Sequence, residues 1–475
     1  MPKLHSATAS SPILWWRGLA WLALLAPVFF TSYSLSNLYA ESLPQVGSVV
    51  FAWERYIPLL PWSIVPYWSI DLLYGLAFLL PRQRSELDTL GRRLLTVQLV
   101  CISCFFLWPL RFAVDRPELN GVFGAMFDVL MGFDKPYNQA PSLHIALLVV
   151  LWACYSRYIK GWWRWLVHGW FTLIGLSVLT TWQHHFIDVP TGVLAGFFSI
   201  WCWPDSGRSP LLAWRFTSVR PQYRLASYYL LASMILGVVA AYFSHLALIL
   251  IWPAVSLLLV AFNYAILGAF GMQKQDSGRQ SLAASVLFAP YLLGAWLNSK
   301  IWTVGQKPAN EVVKGIWLGR RPSDKEAKQY SGLLDLCPEL PVTIGRCEHY
   351  WHLNALDLVP MSAQQCWQAA QAIQSMKNEQ CESILVYCAL GYSRSCVALM
   401  AWLLLNNDAK TPKHAKAIIE KARPQIVIKS HHLMALQEMM QLAEFTHYQS
   451  RNSDTFSANR QQCEHFAVQS GSIHD

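Results

Sequence analysis

Two patterns of apolar positions divide this chain near residue 300. Before it, apolar residues run in stretches of roughly 18 to 25, the length a helix needs to cross the hydrocarbon core of a bilayer. They fall at about 17–38, 57–80, 94–113, 141–158, 164–182, 186–203, 225–245, 246–270 and 281–299. This spacing predicts a polytopic α-helical membrane domain of eight to nine helices. The ninth, 281–299, carries Pro290 mid-run and basic flanks (Lys274, Arg279, Lys300, Lys307), which suit a segment that dips into or lies along the interface. Beyond Lys300 the runs shorten and charge rises. Gly315-Ile316-Trp317-Leu318-Gly319 and Ser383-Ile384-Leu385-Val386-Tyr387 read as buried strands, and helical periodicity marks 362–377, 394–406 and 412–422. Strands alternating with helices predict an α/β domain. The expected organisation is an N-terminal membrane helix and loop (1–54), a membrane domain (55–205), additional membrane helices with the interfacial segment (206–300), the α/β domain (301–445) and a disordered tail rich in Ser, Gln and His (446–475).

Composition supports the membrane reading. Hydrophobic residues make up 54% and charged residues only 14%, too apolar a balance for a soluble chain of this length. Many of the 23 Trp, such as Trp15, Trp16, Trp62, Trp162, Trp163 and Trp203, stand at the ends of apolar runs, where rings sit at headgroup level. The run from Leu19 to Phe30 could pass for a signal peptide, but the spans that follow make it a retained first helix. A net charge of +9 raises nucleic acid as a partner, yet the basic residues are dispersed between apolar runs and instead set loop orientation. Arg82, Arg84, Arg92 and Arg93, then Arg157, Lys160 and Arg164, then Arg208, Arg215, Arg220 and Arg224 mark cytoplasmic loops. The 11 Cys show no disulfide framework, and Cys101-x-x-Cys104 lies within an apolar helix without His nearby.

With that orientation, the connections before the fourth and the sixth helices share the outer face. They carry Arg116-Pro117, Pro141-Ser142-Leu143-His144 and His184-His185-Phe186-Ile187-Asp188. Ionisable residues bordering a membrane core are costly, so their convergence at one depth points to function. His184 and Asp188 stand four apart, and a carboxylate on one imidazole nitrogen raises the basicity of the other. His184 can then attack phosphorus, His144 protonate the leaving oxygen and Arg116 grip the phosphate. The alternative is a set of interfacial residues that cap helices or snorkel. Over residues 55 to 205 these motifs, with the block Ser177 to Asp188, resemble the type 2 phosphatidic acid phosphatase superfamily, in particular its inositolphosphotransferase-like branch. That resemblance implies the same four roles. Two cations of the family pattern are absent, Pro109 and Val178 standing in their places, which keeps head-group transfer open beside hydrolysis.

In the second half the chemistry gathers between the strand ending at Tyr387 and the helix beginning near Arg394. There the sequence reads Cys388-Ala389-Leu390-Gly391-Tyr392-Ser393-Arg394-Ser395. A Cys at such a junction faces backbone N–H groups and a positive helix end, which favour a thiolate and bind a phosphate dianion. The backbone of Ala389, Leu390, Gly391, Tyr392 and Ser393 forms that cradle, and Gly391 lets it turn. Arg394 can return its guanidinium fork to two phosphate oxygens, and Ser395 can donate to the departing sulfur. Residues from about 312 to 440 resemble the dual-specificity branch of protein tyrosine phosphatases. The match includes Ile316-Trp317-Leu318-Gly319, Leu333 to Glu339, Leu356-Asp357-Leu358-Val359-Pro360 and Ala422-Arg423-Pro424-Gln425. The resemblance implies an α/β cysteine-phosphatase domain in which Asp357 protonates the leaving group and later activates water, with no metal or cofactor. It departs at Tyr387, where the family usually places a His. Cys396 reads as a core residue, and His349, His352, His431 and His432 lack ligand spacing.

The expectation is therefore an integral, multi-pass membrane phosphatase that acts on a phospholipid or phosphoprotein substrate. The Cys388 domain is cytoplasmic, where thiols stay reduced, and the His184 site lies on the outer face. Its remaining alternatives are a membrane-anchored protein tyrosine or serine phosphatase and a catalytically weakened lipid- or phosphate-binding scaffold. The bilayer is the one partner the pattern demands, nucleic acid is excluded, and nothing in the pattern sets an oligomeric state.

Overall fold

The structure, a computed structural model, describes residues 12–243, 245–344, 347 and 349–450. These residues form two compact units. The first lies within Met1–Phe216, Ser227–Ala261 and Leu282–Pro290, the second within Thr217–Ala226, Phe262–Ser281 and Tyr291–Asp475.

In chain order the first eleven helices are α1 (Pro12–Ser42), α2 (Ile64–Ala77), α3 (Arg84–Leu107), α4 (Gly121–Phe133), α5 (Leu143–Tyr158), α6 (Trp163–Thr180), α7 (Asp188–Cys202), α8 (Arg220–Phe243), α9 (Ile251–Phe262), α10 (Leu282–Leu287) and α11 (Ala289–Trp302). Among the described residues, four helical segments are long and apolar enough to cross a membrane: Leu14–Ser42, Arg84–Leu107, Arg220–Phe243 and His245–Leu267. The expected count of eight to nine is thus not reached. Helices α2, α5 and α7 have 14, 16 and 15 residues, and at about 1.5 Å per residue they fall short of a roughly 30 Å hydrocarbon core. Chain breakers explain part of the difference. A 3-10 turn at Pro61–Ser63 delays α2, and the 281–299 run divides into α10 and α11 just ahead of Pro290.

The first unit is held by close helix packing. A Cβ on Gly192 would lie 2.6 Å from the Ser142 carbonyl oxygen, and one on Gly196 would lie 2.7 Å from Val149 Cβ. These two glycines let α7 seat directly on α5, in the manner of small residues four apart in packed membrane helices. The seat brings the segment before Asp188 to the start of α5, where Ser142 N–H donates to the Asp188 carbonyl at 3.0 Å.

The second unit is built on a five-stranded sheet in the order β1-β2-β5-β3-β4, from β1 (Ala309–Val313), β2 (Ile316–Arg320), β3 (Gly332–Asp335), β4 (His349–His352) and β5 (Ile384–Cys388). Only β1 runs antiparallel to its neighbour. Its helices are α12 (Asp324–Ala327), α13 (Ala363–Asn378), α14 (Arg394–Leu405), α15 (Pro412–Ala422) and α16 (Ser430–Met440). Every residue of the central strand β5 and of α14 is buried. Ile316, Leu334 and Val386 pack against Trp367, Ile373 and Leu399 in one core, so truncating Leu399 to Ala costs about 2–5 kcal/mol. Residues 443–450 are helical, and Phe445 packs edge-on against Trp367 at 6.1 Å. The tail expected to be disordered from 446 is therefore helical to 450, and residues 451–475 lie outside the described residues.

Candidate active sites

The end of β5 places Cys388 opposite Arg320 of β2, at the C-terminal edge of the parallel strands, where open α/β sheets bind their ligands. Gly391 makes the following loop possible. Its φ is +74°, and a Cβ there would lie 2.4 Å from the Gly319 carbonyl carbon, so only glycine lets the loop lie against β2. The turn returns two polar groups to the sulfur: Gly391 N–H donates to Cys388 Sγ, and Ser395 Oγ shares a hydrogen bond with it, each at 3.3 Å. The loop's outer side is also fixed. Arg423, fully buried, donates to the carbonyls of Gly391 at 3.0 Å and Leu390 at 3.5 Å, while Val427 N–H donates to Tyr392 O at 2.7 Å. Ser299 Oγ donates to Ala389 O, and the Tyr392 hydroxyl to Trp302 O, each at 2.8 Å. His432 Nε2 stands 3.3 Å from Ser393 Oγ. Burial, then His431 and Lys429, lower the His432 pKa to about 4, so near neutral pH its Nδ1 accepts the Lys429 N–H at 3.0 Å.

Arg394 opens α14 and is gripped on two sides. Its Nη1 donates to Leu336 O at 3.0 Å and Ala355 O at 2.9 Å, and its two Nη atoms span the Glu339 carboxylate at 2.5 and 3.1 Å. Nη2 also meets Asp357 Oδ1 at 3.0 Å. Burial opposes its charge, but Glu339 and then Asp357 outweigh that and push the Arg394 pKa up. Asp357 is part-exposed, and its carbonyl accepts the Tyr264 hydroxyl at 3.1 Å. The structure therefore joins Cys388, Gly391 and Ser395 in one set of contacts and Arg394, Glu339 and Asp357 in another, the two meeting in sequence at the start of α14.

Three residues around these contacts escaped sequence reasoning. Glu339 was visible only inside a quoted motif. Arg423 gave no local sign that it would pin the loop. The third is Lys274, whose side chain is fully buried and donates to the carbonyls of Cys337 (3.0 Å) and Leu340 (2.5 Å), with Asp335 Oδ2 at 2.9 Å. Gln280 adds a bond to Pro338 O at 2.7 Å. A short hairpin through Lys274 and Gln280 thus clasps the turn that presents Glu339 to Arg394. Tyr387 points to the other side of the sheet, into a cluster with Leu333 and Leu385, where burial and Asp335 push its pKa up. Cys396 is fully buried, and burial raises its thiol pKa likewise.

In the first unit, His184 Nδ1 stands 3.2 Å from Asp188 Oδ2, which also accepts His185 N–H at 2.9 Å. His144 stacks on Tyr67 with centroids 4.1 Å apart and lies within electrostatic reach of His184. Arg116 spends its guanidinium on the carbonyls of Thr181 (3.1 Å) and Trp182 (3.0 Å), over the ring of Phe127. A carboxylate that sequence reasoning did not select completes the cluster: Asp134 accepts the Tyr33 hydroxyl at 2.6 Å and lies near Tyr67, His184 and Arg116. His185 is committed elsewhere, to Glu54 at 2.9 Å and to Ala113 N–H at 3.0 Å. Among the described residues, no group of three His, Cys, Asp or Glu could hold a metal ion.

No family model and no curated protein matches this chain. Solved structures similar to less than a third of this chain include several phosphatases. Tk-PTP in its active form is 21% identical, with 28% of this chain and 97% of that one covered and a TM-score of 0.26. PTPMT1 in complex with PI(5)P is 15% identical, covering 31% and 99% at 0.27. Human DUSP28 is 17% identical, covering 28% and 94% at 0.26.

Proposed function

We propose that this protein is a membrane-held phosphatase whose Cys388 hydrolyses phosphate monoesters of phospholipid head groups. The observation that carries the reading is the convergence of Gly391 N–H and Ser395 Oγ on Cys388 Sγ, each at 3.3 Å, at the start of a helix. Sulfur held in this way serves as the nucleophile. The phosphate dianion settles on the loop N–H groups of residues 389–393 and on Arg394, and displaces Asp357 from the guanidinium. Sulfur attacks phosphorus, the P–O ester bond breaks, and Asp357, having taken up a proton from water on leaving Arg394, gives it to the leaving oxygen. Asp357, now a carboxylate, takes a proton from water. The water oxygen attacks phospho-Cys388, the S–P bond breaks, and Ser395 donates a hydrogen bond to the returning thiolate.

The lipid assignment rests on co-location, since a domain tethered by membrane helices meets head groups at high effective concentration. Ala389, Leu390 and Tyr392 add no charge to the cradle, which suits a singly phosphorylated group and equally a phosphoprotein, the second reading. The domain takes the cytoplasmic side, where its thiol stays reduced. Labelling a variant whose one cysteine is Cys388 from outside alone would reverse that placement.

The His184–Asp188 pair at 3.2 Å supports a further phosphoryl-transfer site in the first unit, on the outer face. One experiment separates these readings: phosphate release from phospholipids and phosphopeptides by wild type, Cys388→Ser and His184→Ala. Full activity of Cys388→Ser on every substrate would overturn the central claim. Loss with His184→Ala alone would move the chemistry to the first unit.

A further inference from the structure

A cavity of about 470 Å³ lies in the second unit behind the loop that carries Asp357. Its lining is mainly apolar and includes Val219, Gly268, Leu356, Met361, Met434 and Ala435. The volume lies within the usual range for small-ligand pockets. Residues 354–356 and 359–362, on either side of Asp357 and Leu358, form one wall, so whatever fills the cavity bears on the acid loop.

The chain itself indicates what that is. Val219 directly precedes α8, and Gly268 directly follows the candidate span His245–Leu267. Two consecutive crossings return a chain to the face it left. The entry to the first and the exit of the second therefore share one side, and Thr217 N–H bonds to Ala265 O at 3.0 Å. A cavity walled by these residues adjoins the ends of two candidate spans. Two apolar side chains beside it are exposed, Leu358 by 71% and Met434 by 57%, while Gln222, His431 and Glu438 give the rest of the lining polar groups.

We infer that this cavity binds a single aliphatic chain of a membrane lipid, with the acid loop closing over it. The inference rests on the phosphatase reading only where the chain belongs to the substrate. It then gives substrate selection by tail as well as by head group, with Leu356 and Met361 against the tail and Asp357 at the scissile ester.

The test uses the full chain in lipid nanodiscs. Turnover of butyl, octyl and dodecyl phosphate is compared with that of p-nitrophenyl phosphate, in wild type, Ala435→Phe and Met434→Trp. The first variant fills the cavity from a buried position; the second obstructs it from an exposed one that tolerates bulk. For wild type, kcat/KM is expected to rise with chain length by up to about fourfold per buried methylene, beyond any rise that both variants retain through partition into lipid. Turnover of p-nitrophenyl phosphate serves as each variant's own baseline, against which its chain-length series is read. If the occupant is a separate lipid, dodecanol changes p-nitrophenyl phosphate turnover in wild type and not in the variants, and the chain-length rise is the same in all three. A diazirine-bearing dodecyl phosphate provides a readout without activity, with crosslinks expected in 354–362 and 431–438. Crosslinks without any turnover would sink the phosphatase reading and leave the chain site standing. No crosslinks there, with wild type and variants alike in every assay, would overturn the inference.

Discussion

The loop at Cys388 and the cluster at His184 both set a nucleophile beside groups that could serve phosphoryl transfer, but they prepare for charge in opposite ways. Around Cys388 the loop and the helix start suit an anion, while the nearby Arg394 is engaged by two carboxylates and two carbonyls. Gly391 N–H and Ser395 Oγ meet the sulfur, a helix begins there, and Arg394 is paired with Glu339 and Asp357. Around His184 the orienting carboxylate is in place, yet Arg116 is turned to the carbonyls of Thr181 and Trp182, and Asp134 adds negative charge. A nucleophile and its partner four residues away come from one stretch of sequence. A grip on a phosphate dianion needs cations delivered from several elements, and the two units differ in that delivery.

The sharpest way to break this comparison is to remove each nucleophile. Cys388→Ser should lower phosphate release by on the order of 10⁴-fold or more, since loss of a covalent nucleophile removes nearly all of the catalytic unit. His184→Ala should leave that activity unchanged on water-soluble esters. In the Cys388→Ser background, any residual release from lipid phosphates that disappears on adding His184→Ala belongs to the first unit. The reverse ranking, measured with p-nitrophenyl phosphate, would show that the anion-favouring environment has been assigned to the wrong half.

Next in size are the groups that act in the transition state. Arg394→Lys keeps a charge but loses the fork, and the expected loss in kcat is about 10²–10³-fold. Asp357→Asn should cost about 10²–10⁴-fold on alkyl phosphates and much less on p-nitrophenyl phosphate, whose leaving group needs little protonation. Equal losses on both substrates would remove Asp357 from the role of acid and leave it a partner of Arg394.

How far the molecule could be read in advance follows the same division between local and distant. The strand, Cys388, Gly391, Arg394 and the apolar helix are consecutive, so their chemistry was legible, and β5 and α14 fall where the pattern put them. His184 and Asp188 were legible for the same reason. The membrane helices were less so, because hydropathy records the length of an apolar run and not where Pro61 or Pro290 interrupts the helix within it. A fully buried helix such as α14 is as apolar as a short membrane helix. Glu339, Arg423, Asp134 and Lys274 act on groups far away in sequence. Glu339 and Arg423 stood inside motifs of the resemblance, but nothing local showed what they would touch, and Lys274 fell in a stretch read as the basic flank of a membrane segment.

Lys274 offers a test of how much the Cys388 site depends on those distant contacts. Lys274→Met leaves Asp335 buried with a charge and no cation, and the expected cost is about 3–5 kcal/mol in stability. Lys274→Met with Asp335→Asn removes both charges and should recover part of it, read from thermal or denaturant unfolding of the full chain. If the double variant were no better than the single one, the ion pair would not be what holds the 335–340 turn.

The smallest effect concerns acid. His432 is buried neutral, with its pKa lowered to about 4, against about 6.5 in an unfolded chain. Between those values the unfolded chain binds more protons, so stability rises with pH there and its His432 share is complete above about pH 6.5. It is lost as the pH falls toward 4, where protonation of Nδ1 opposes the bond from Lys429 N–H and disturbs the contact with Ser393. The unfolding midpoint of the second unit should therefore drop between pH 7 and pH 5. His432→Asn should lower the midpoint at pH 7 and flatten that drop. Parallel pH profiles for wild type and His432→Asn would mean that the outer side of the Cys388 loop does not feel this proton, and that its geometry is fixed by Arg423, Val427, Ser299 and Trp302 without it.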